Sequence, residues 1–225
     1  MLAAAGVRAG DEVVLPSFGG EETARAVRSL DAVPVFADID AASLCLDPDA
    51  AEAAVGERTA AVVPLALFGH PVDTSRFLAL GERCGVRIVM PQERDPGVPE
   101  LDAARRRQHA VYLDARLTGV VTPTAAPGVR HAYTQYVVRV PGNGRPDRDA
   151  FRRALSARGV RCTVPVPTPA HRTTAHRGPV RLPETERAAA ETLALPFHAG
   201  LTRRELHRIV GACNALGGLV LEPAG

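Results

Sequence analysis

The sequence contains no lysine: all 27 of its basic residues are arginine, within 225 residues. That absence excludes any chemistry that needs a side-chain amine able to lose its proton. Arginine stays protonated and cannot form a Schiff base. Tryptophan is also missing and there are only 3 tyrosines, so no base-stacking set is present for nucleic acid. The formal charge of +2 gives no reason to expect a polyanionic partner, and the one basic run, Arg105 to Arg107, reads as a solvated helix face. The 4 cysteines lie far apart with no Cys-x-x-Cys pair, which points to scattered reduced thiols. No basic-then-apolar leader opens the chain, and no apolar run reaches the ~20 residues of a membrane helix. A cytoplasmic protein with no membrane partner is expected.

What is present is an ordinary globular composition, 46% hydrophobic and 23% charged. Asp11–Pro16, Val33–Ala37, Ala60–Leu67 and Val86–Met90 are short, largely apolar runs, as expected of strands buried on both faces. Between them fall the helical patterns Glu21–Leu30, Pro48–Val55 behind the cap residue Asp47, and Asp73–Cys84 stopped by Gly85. This alternation predicts a parallel-rich α/β sheet with helices on both faces. The pattern breaks at Pro91–Pro99, where three prolines and a glycine make a loop. Beyond it, helices are expected from Glu100 to about Leu117, over Asp147–Arg158, over Glu184–Leu193, and from Thr202 to Leu216 with a Thr202/Glu205 capping box. Tyr133–Val140 alternates like a half-buried strand, and Val160–Val166 is expected as a second short one. The chain therefore divides into a first domain over 1–99 and a smaller C-terminal α+β domain over 100–225.

Several segments, in order, resemble those of the DegT/DnrJ/StrS sugar aminotransferases. Gly10-Asp11-Glu12-Val13-Val14-Leu15-Pro16-Ser17-Phe18 is similar to the family's "GDEVIVPSFT" strand. Pro34–Asp40 resembles "PVFVDID", and Pro64–Pro71, with the Phe68-Gly69-His70-Pro71 turn, resembles "PVHLYGQP". In the second half His131–Val140 is similar to "HVYHLYVIRV", Arg158-Gly159 with Pro167, Pro169 and His171 to "RGI…YPVPLH", and Leu195–Thr202 to "LPLHPGLT". The resemblance implies a reduced fold-type I transferase architecture and a homodimer; for an accessory role, a heteromer with a full-length relative is the other pairing expected.

The resemblance also implies pyridoxal phosphate as cofactor, yet this sequence departs from the family wherever the cofactor is held. The family's Ser-Gly-Thr phosphate loop belongs to a segment before the match, which the chain is expected to lack. Its Glu-Asp-Ala-Ala-Gln reads here Met90-Pro91-Gln92-Glu93-Arg94. Pro91 thus stands where an Asp pairs with the pyridine nitrogen, and proline carries no charge. A block that brings the Schiff-base lysine is missing between Arg94 and Arg105, and Gly20 stands where an aromatic stacks on the ring. No bound cofactor and no independent transamination are therefore expected.

The remaining polar candidates are His171 and Glu93 as acid–base groups, with Arg94, Arg172, His70 and Phe18 as possible contacts for a small-molecule substrate. Glu93 and Arg94 follow a parallel strand, where α/β sheets place ligands. His171 sits in a proline-bounded loop with Arg172 and His176 nearby. Cys162, His171 and His176 match no zinc spacing. Two roles remain open: an accessory, non-catalytic partner in specialised-metabolite biosynthesis, or a cofactor-free cyclase, dehydratase or isomerase using the vacated cleft. A third is a decaying gene fragment without function.

Overall fold

The computed structural model describes residues 1–90, 99–126, 128–141 and 147–217. They form two compact units: Met1–Leu67, Pro71–Pro96 and Thr168–Ala189 in the first, and Phe68–His70, Gly97–Pro167 and Ala190–Gly225 in the second. The first unit is thus discontinuous, because a stretch from the second half folds back onto it.

The first unit is built on a four-stranded parallel sheet of β1 (Glu12–Pro16), β2 (Val33–Ala37), β3 (Thr59–Val62) and β4 (Arg87–Ile88), in the order β2-β1-β3-β4. Side chains alternate across a strand, so β1 feeds two cores. Val13 and Leu15 pack with Ala24 and Val27 of α1 (Glu21–Arg28) on one face. Val14 packs on the other with Ala51 of α2 (Pro48–Ala53) and Phe77 and Leu80 of α3 (Thr74–Cys84). Helices on both faces explain why the strands read as continuous apolar runs. Burying each such Leu or Phe stabilises the fold by about 1.5–3 kcal/mol.

Local signals fix the helix ends. The Asp47 carboxylate accepts the Asp49 amide N–H at 3.1 Å, with Pro48 at the first helical position. Asp73 does the same for Arg76 at 3.1 Å, and α3 stops at Gly85, whose φ of 67° suits glycine. The expected strands at Ala60–Leu67 and Val86–Met90 are shorter in the structure. Pro64 has no amide hydrogen to continue the ladder of β3, and β4 pairs only alongside it.

The second unit carries a two-stranded antiparallel sheet of β5 (Tyr136–Arg139) and β6 (Thr192–Leu195), with helices α4 (Glu100–Asp114), α5 (Arg148–Ala157) and α7 (Arg203–Gly217). Tyr136, Phe151, Leu155, Leu193, Leu206 and Ile209 form its core. One helix was expected over Glu184–Leu193. Instead α6 (Pro183–Glu191) ends at Glu191, and the next four residues, all buried, pair with β5. Cross-strand pairing overrides the helical preference of Leu and Ala there. Val160–Val166 is not a strand but contributes a single bridge, Thr163 to Ala194. The capping box forms as expected: the Thr202 hydroxyl accepts the Glu205 amide at 3.3 Å, and Glu205 accepts the Thr202 amide at 2.8 Å.

Candidate functional site

The carboxyl ends of β1 and β2 are where a parallel α/β sheet places its ligands. Ser17 follows β1 directly and Asp38 follows β2. Both meet the returning Thr168–Ala189 stretch. The Ser17 carbonyl accepts the Ala170 amide at 3.0 Å, and the Ser17 hydroxyl oxygen accepts the His171 amide at 3.0 Å. The same oxygen lies 2.6 Å from His171 Nδ1. His171 Nε2 in turn lies 3.3 Å from Glu186 Oε1, which also accepts from the Arg172 guanidinium at 2.5 Å.

These partners assign the protons. Glu186 is ionised, because the Arg172 hydrogen bond holds its carboxyl below the usual range. A carboxylate can only accept, so His171 donates from Nε2. Its Nδ1 is then unprotonated and accepts the Ser17 hydroxyl proton. Burial pushes the His171 pKa down, against the opposing pull of Glu186, which keeps the ring neutral near pH 7. Ser17 and His171 are both 0% exposed. The order Ser–His–Glu superficially matches that of a nucleophilic triad, but neither reacting atom faces solvent.

The same stretch is tied down elsewhere. The Asp38 carboxylate accepts the Glu184 amide at 3.0 Å and the Thr185 amide at 2.8 Å, so a residue from the end of β2 caps α6. Arg28 donates to the Ala175 carbonyl. The His176 side chain, only 2% exposed, meets the Phe36 ring edge-on at 5.7 Å.

The sequence-predicted residues therefore separate. His171 and Arg172 come together on Glu186. His171, expected in a loop, sits instead in a short 3-10 turn (Ala170–Arg172) and is fully buried. Phe18 is 0% exposed, a core residue of the first unit and no surface for a substrate. Glu93, Arg94 and Pro91 lie outside the described residues. Sequence reasoning missed Ser17, Asp38 and Glu186. A polar residue directly after a buried parallel strand was the available signal for Ser17 and Asp38; their partners, more than a hundred positions away, left none.

His70 belongs to the second unit, where it meets His131 edge-on at 5.2 Å. His131 stacks on Tyr133 at 3.9 Å and accepts the Tyr133 amide at Nδ1 at 2.9 Å. Burial, helped by His70, pushes His131 down to about 4, so it is neutral near pH 7 and positions Tyr133. The turn before it needs Gly69, where a Cβ would come within 2.6 Å of the Tyr133 nitrogen. Tyr133 and Phe68 hold φ of 47° and 58°, a conformation costly for bulky side chains. The Ala132 amide bonds the Gly69 carbonyl at 2.7 Å and helps hold that geometry. Among the described residues no group of three or more His, Cys, Asp or Glu side chains could hold a metal, and no helix is long and apolar enough to cross a membrane.

Residues 1–90 and 98–214 match the DegT/DnrJ/EryC1/StrS aminotransferase family. An L-glutamine:2-deoxy-scyllo-inosose aminotransferase of Streptomyces kanamyceticus is 46% identical over 88 residues, which are 39% of this chain and only 21% of that relative's length. A pleiotropic regulatory protein of Geobacillus stearothermophilus is 25% identical over 304 residues, reaching 93% of this chain and 79% of its own. Among solved structures, the aminotransferase TlmJ from Streptoalloteichus hindustanus superposes with a TM-score of 0.85 at 26% identity, over 97% of this chain and 82% of that one.

Proposed function

Because this chain belongs to the DegT/DnrJ/EryC1/StrS aminotransferase family, we propose that it serves as a non-catalytic, aminotransferase-like partner in cytoplasmic sugar or natural-product biosynthesis. It does not transaminate by itself. One observation carries the reading: no lysine occurs in the 225 residues. The alignment to the Geobacillus relative runs over 304 positions against the 225 residues of this chain, so part of that relative has no counterpart here, which supports the reading. Imine formation with an aldehyde coenzyme needs a neutral amine, and arginine offers none.

The residues present do not fit pyridoxal phosphate. The family stacks an aromatic on the coenzyme ring at the position of Gly20. Here a Cβ at Gly20 would stand 2.0 Å from the Pro16 carbonyl oxygen, so this backbone admits no side chain there. Pro91 replaces the acid that would pair with the ring nitrogen. Ser17, His171 and Glu186 spend their hydrogen bonds on one another.

The role left to such a chain is to pair, with itself or with a full-length relative whose pocket it helps to shape. Two measurements test this. Pyridoxal phosphate titrated into the purified protein should give no aldimine absorbance, and co-expression with full-length relatives from the same source should yield a stable heteromer or a self-associated protein. Coenzyme binding with amino-group transfer by the chain alone would end the proposal.

A second reading, a cofactor-free acid–base enzyme, draws on the His171–Glu186–Arg172 arrangement. It requires the cluster to open, because His171 is fully buried. Unchanged pathway turnover in His171→Ala and Glu93→Ala variants would remove it.

A further inference from the structure

Five arginines are half-buried among the described residues, and four of them are neutralised inside the fold. Arg107 meets Glu100 at 2.6 Å and Arg139 meets Glu191 at 2.7 Å, while Asp149 stands 3.0 Å from the Nε of Arg148 and 3.7 Å from that of Arg152. Arg106 is the fifth, and among the described residues it has no carboxylate. Its one hydrogen bond there runs from Nη1 to the neutral Tyr133 carbonyl at 3.2 Å. Its Nε is buried without a hydrogen-bond partner. A guanidinium cannot shed its charge, so drawing one partly out of water with no counter-charge costs free energy that the other four recover.

A second orphan lies beside it. His109 follows Arg106 at a spacing of three on α4, which puts both on one flank of the helix. Its Nδ1 is likewise buried without a partner, and its ring meets Phe197 edge-on at 6.3 Å. Phe197 packs on Tyr133 at 6.3 Å, and Tyr133 is the residue that Arg106 holds. These four residues close a ring of contacts within the second unit, and both unpartnered nitrogens belong to it. With Nη1 on the carbonyl, the open edge of the guanidinium is the one that carries Nε and Nη2. That edge offers two parallel N–H donors, the pattern that matches the two oxygens of a carboxylate. In the tautomer protonated at Nδ1, His109 supplies a third donor.

We infer that Arg106 and His109 form a binding site for a small carboxylate, with Phe197 and Tyr133 as its apolar wall. Charge selects a carboxylate over phosphate or sulfate. Arg106 is the one permanent cation of the site, and Asp102 lies one turn away on the same flank without pairing to it. A second negative charge on the ligand would therefore go uncompensated. The surrounding unit draws anions towards the site, since arginine outnumbers aspartate and glutamate in the second unit whereas the reverse holds in the first.

Titration of the full chain with sodium benzoate or acetate at constant ionic strength, followed by NMR of the arginine Nε–H signals, tests this. The Arg106 signal is the one missing from an Arg106→Lys variant. It should shift and saturate with a Kd on the order of 1 mM, as suits a ligand of few atoms. Arg106→Lys keeps the charge and a donor for Tyr133 but loses the paired edge, and should weaken binding about tenfold by calorimetry. His109→Phe preserves a ring against Phe197 and should weaken it about threefold, whereas Asp102→Asn should tighten it about twofold. If Arg106→Lys melts lower than the wild type, the other two variants carry the test, because neither touches the bond to Tyr133. An Arg106 signal unmoved by both carboxylates overturns the site. Phosphate or sulfate binding more tightly than benzoate overturns the ligand class. Carboxylate binding unchanged in the Arg106 and His109 variants lies elsewhere and overturns the assignment. None of these readouts involves pyridoxal phosphate, so failure here and failure of the proposed function are distinguishable.

Discussion

The Ser17 hydroxyl lies 2.6 Å from His171 Nδ1, although 154 positions separate the two residues. One oxygen gives its proton to the ring and accepts the backbone amide of the same histidine at 3.0 Å. It thereby fastens the returning Thr168–Ala189 stretch to the end of the central strand. A hydroxyl committed on both sides and fully buried acts as a clamp.

Ser17→Ala should therefore destabilise the protein by about 2–4 kcal/mol, since it leaves two buried groups of His171 without partners. Equilibrium denaturation in urea measures this. A loss under about half a kcal/mol would mean that the site relaxes around a water and that the clamp is not structural.

Removing the cap on α6 tests the same attachment from β2. Asp38→Ala withdraws the acceptor for the Glu184 and Thr185 amides and should cost about 1–2 kcal/mol. The expected signature is local: limited trypsin digestion should cut faster after Arg177 or Arg181, ahead of global unfolding.

Stability should fall as the pH drops from neutral. His131 has its pKa lowered from 6.5 to about 4 by burial, and His171 is shifted in the same direction. The unfolded chain therefore takes up protons first. Stability is full above about pH 6.5 and is lost progressively towards pH 4, by at most ~1.4 kcal/mol per pH unit for His131. Melting temperatures of the wild type and His131→Gln, measured across that window, check the sign. The variant should start lower, having lost the stack on Tyr133, but decline less steeply. Parallel slopes would show that His131 titrates normally.

Borohydride reduction after incubation with pyridoxal phosphate should attach the coenzyme to no side chain. The chain offers no lysine amine, so peptide mapping by mass spectrometry should find label only at the amino terminus. A labelled internal peptide would contradict the chemistry on which the proposed role rests.

Much of the fold could be read from local chemistry. The parallel sheet followed from apolar runs spaced by helical patterns. The ends of α2, α3 and α7 followed from Asp47, Asp73, Gly85 and the Thr202/Glu205 box, because each cap involves residues within a few positions of one another. Of the candidate site, His171 and Arg172 were legible from the matched loop. Glu186 was not, since a carboxylate in the first turn of a helix has an ordinary local explanation in the helix dipole.

The sequence by itself determined the alternation of elements, most helix ends and the want of any side-chain amine that could hold an aldehyde, for these depend on residue identity and short-range geometry. Only the tertiary structure decided that Thr168–Ala189 returns to the first unit, that Thr192–Leu195 leaves the helix to pair with β5, and that Ser17 and Asp38 are the anchors of that return. Hydrogen bonds and strand pairs between distant segments form once burial has brought them together, and no local pattern in either partner encodes the other.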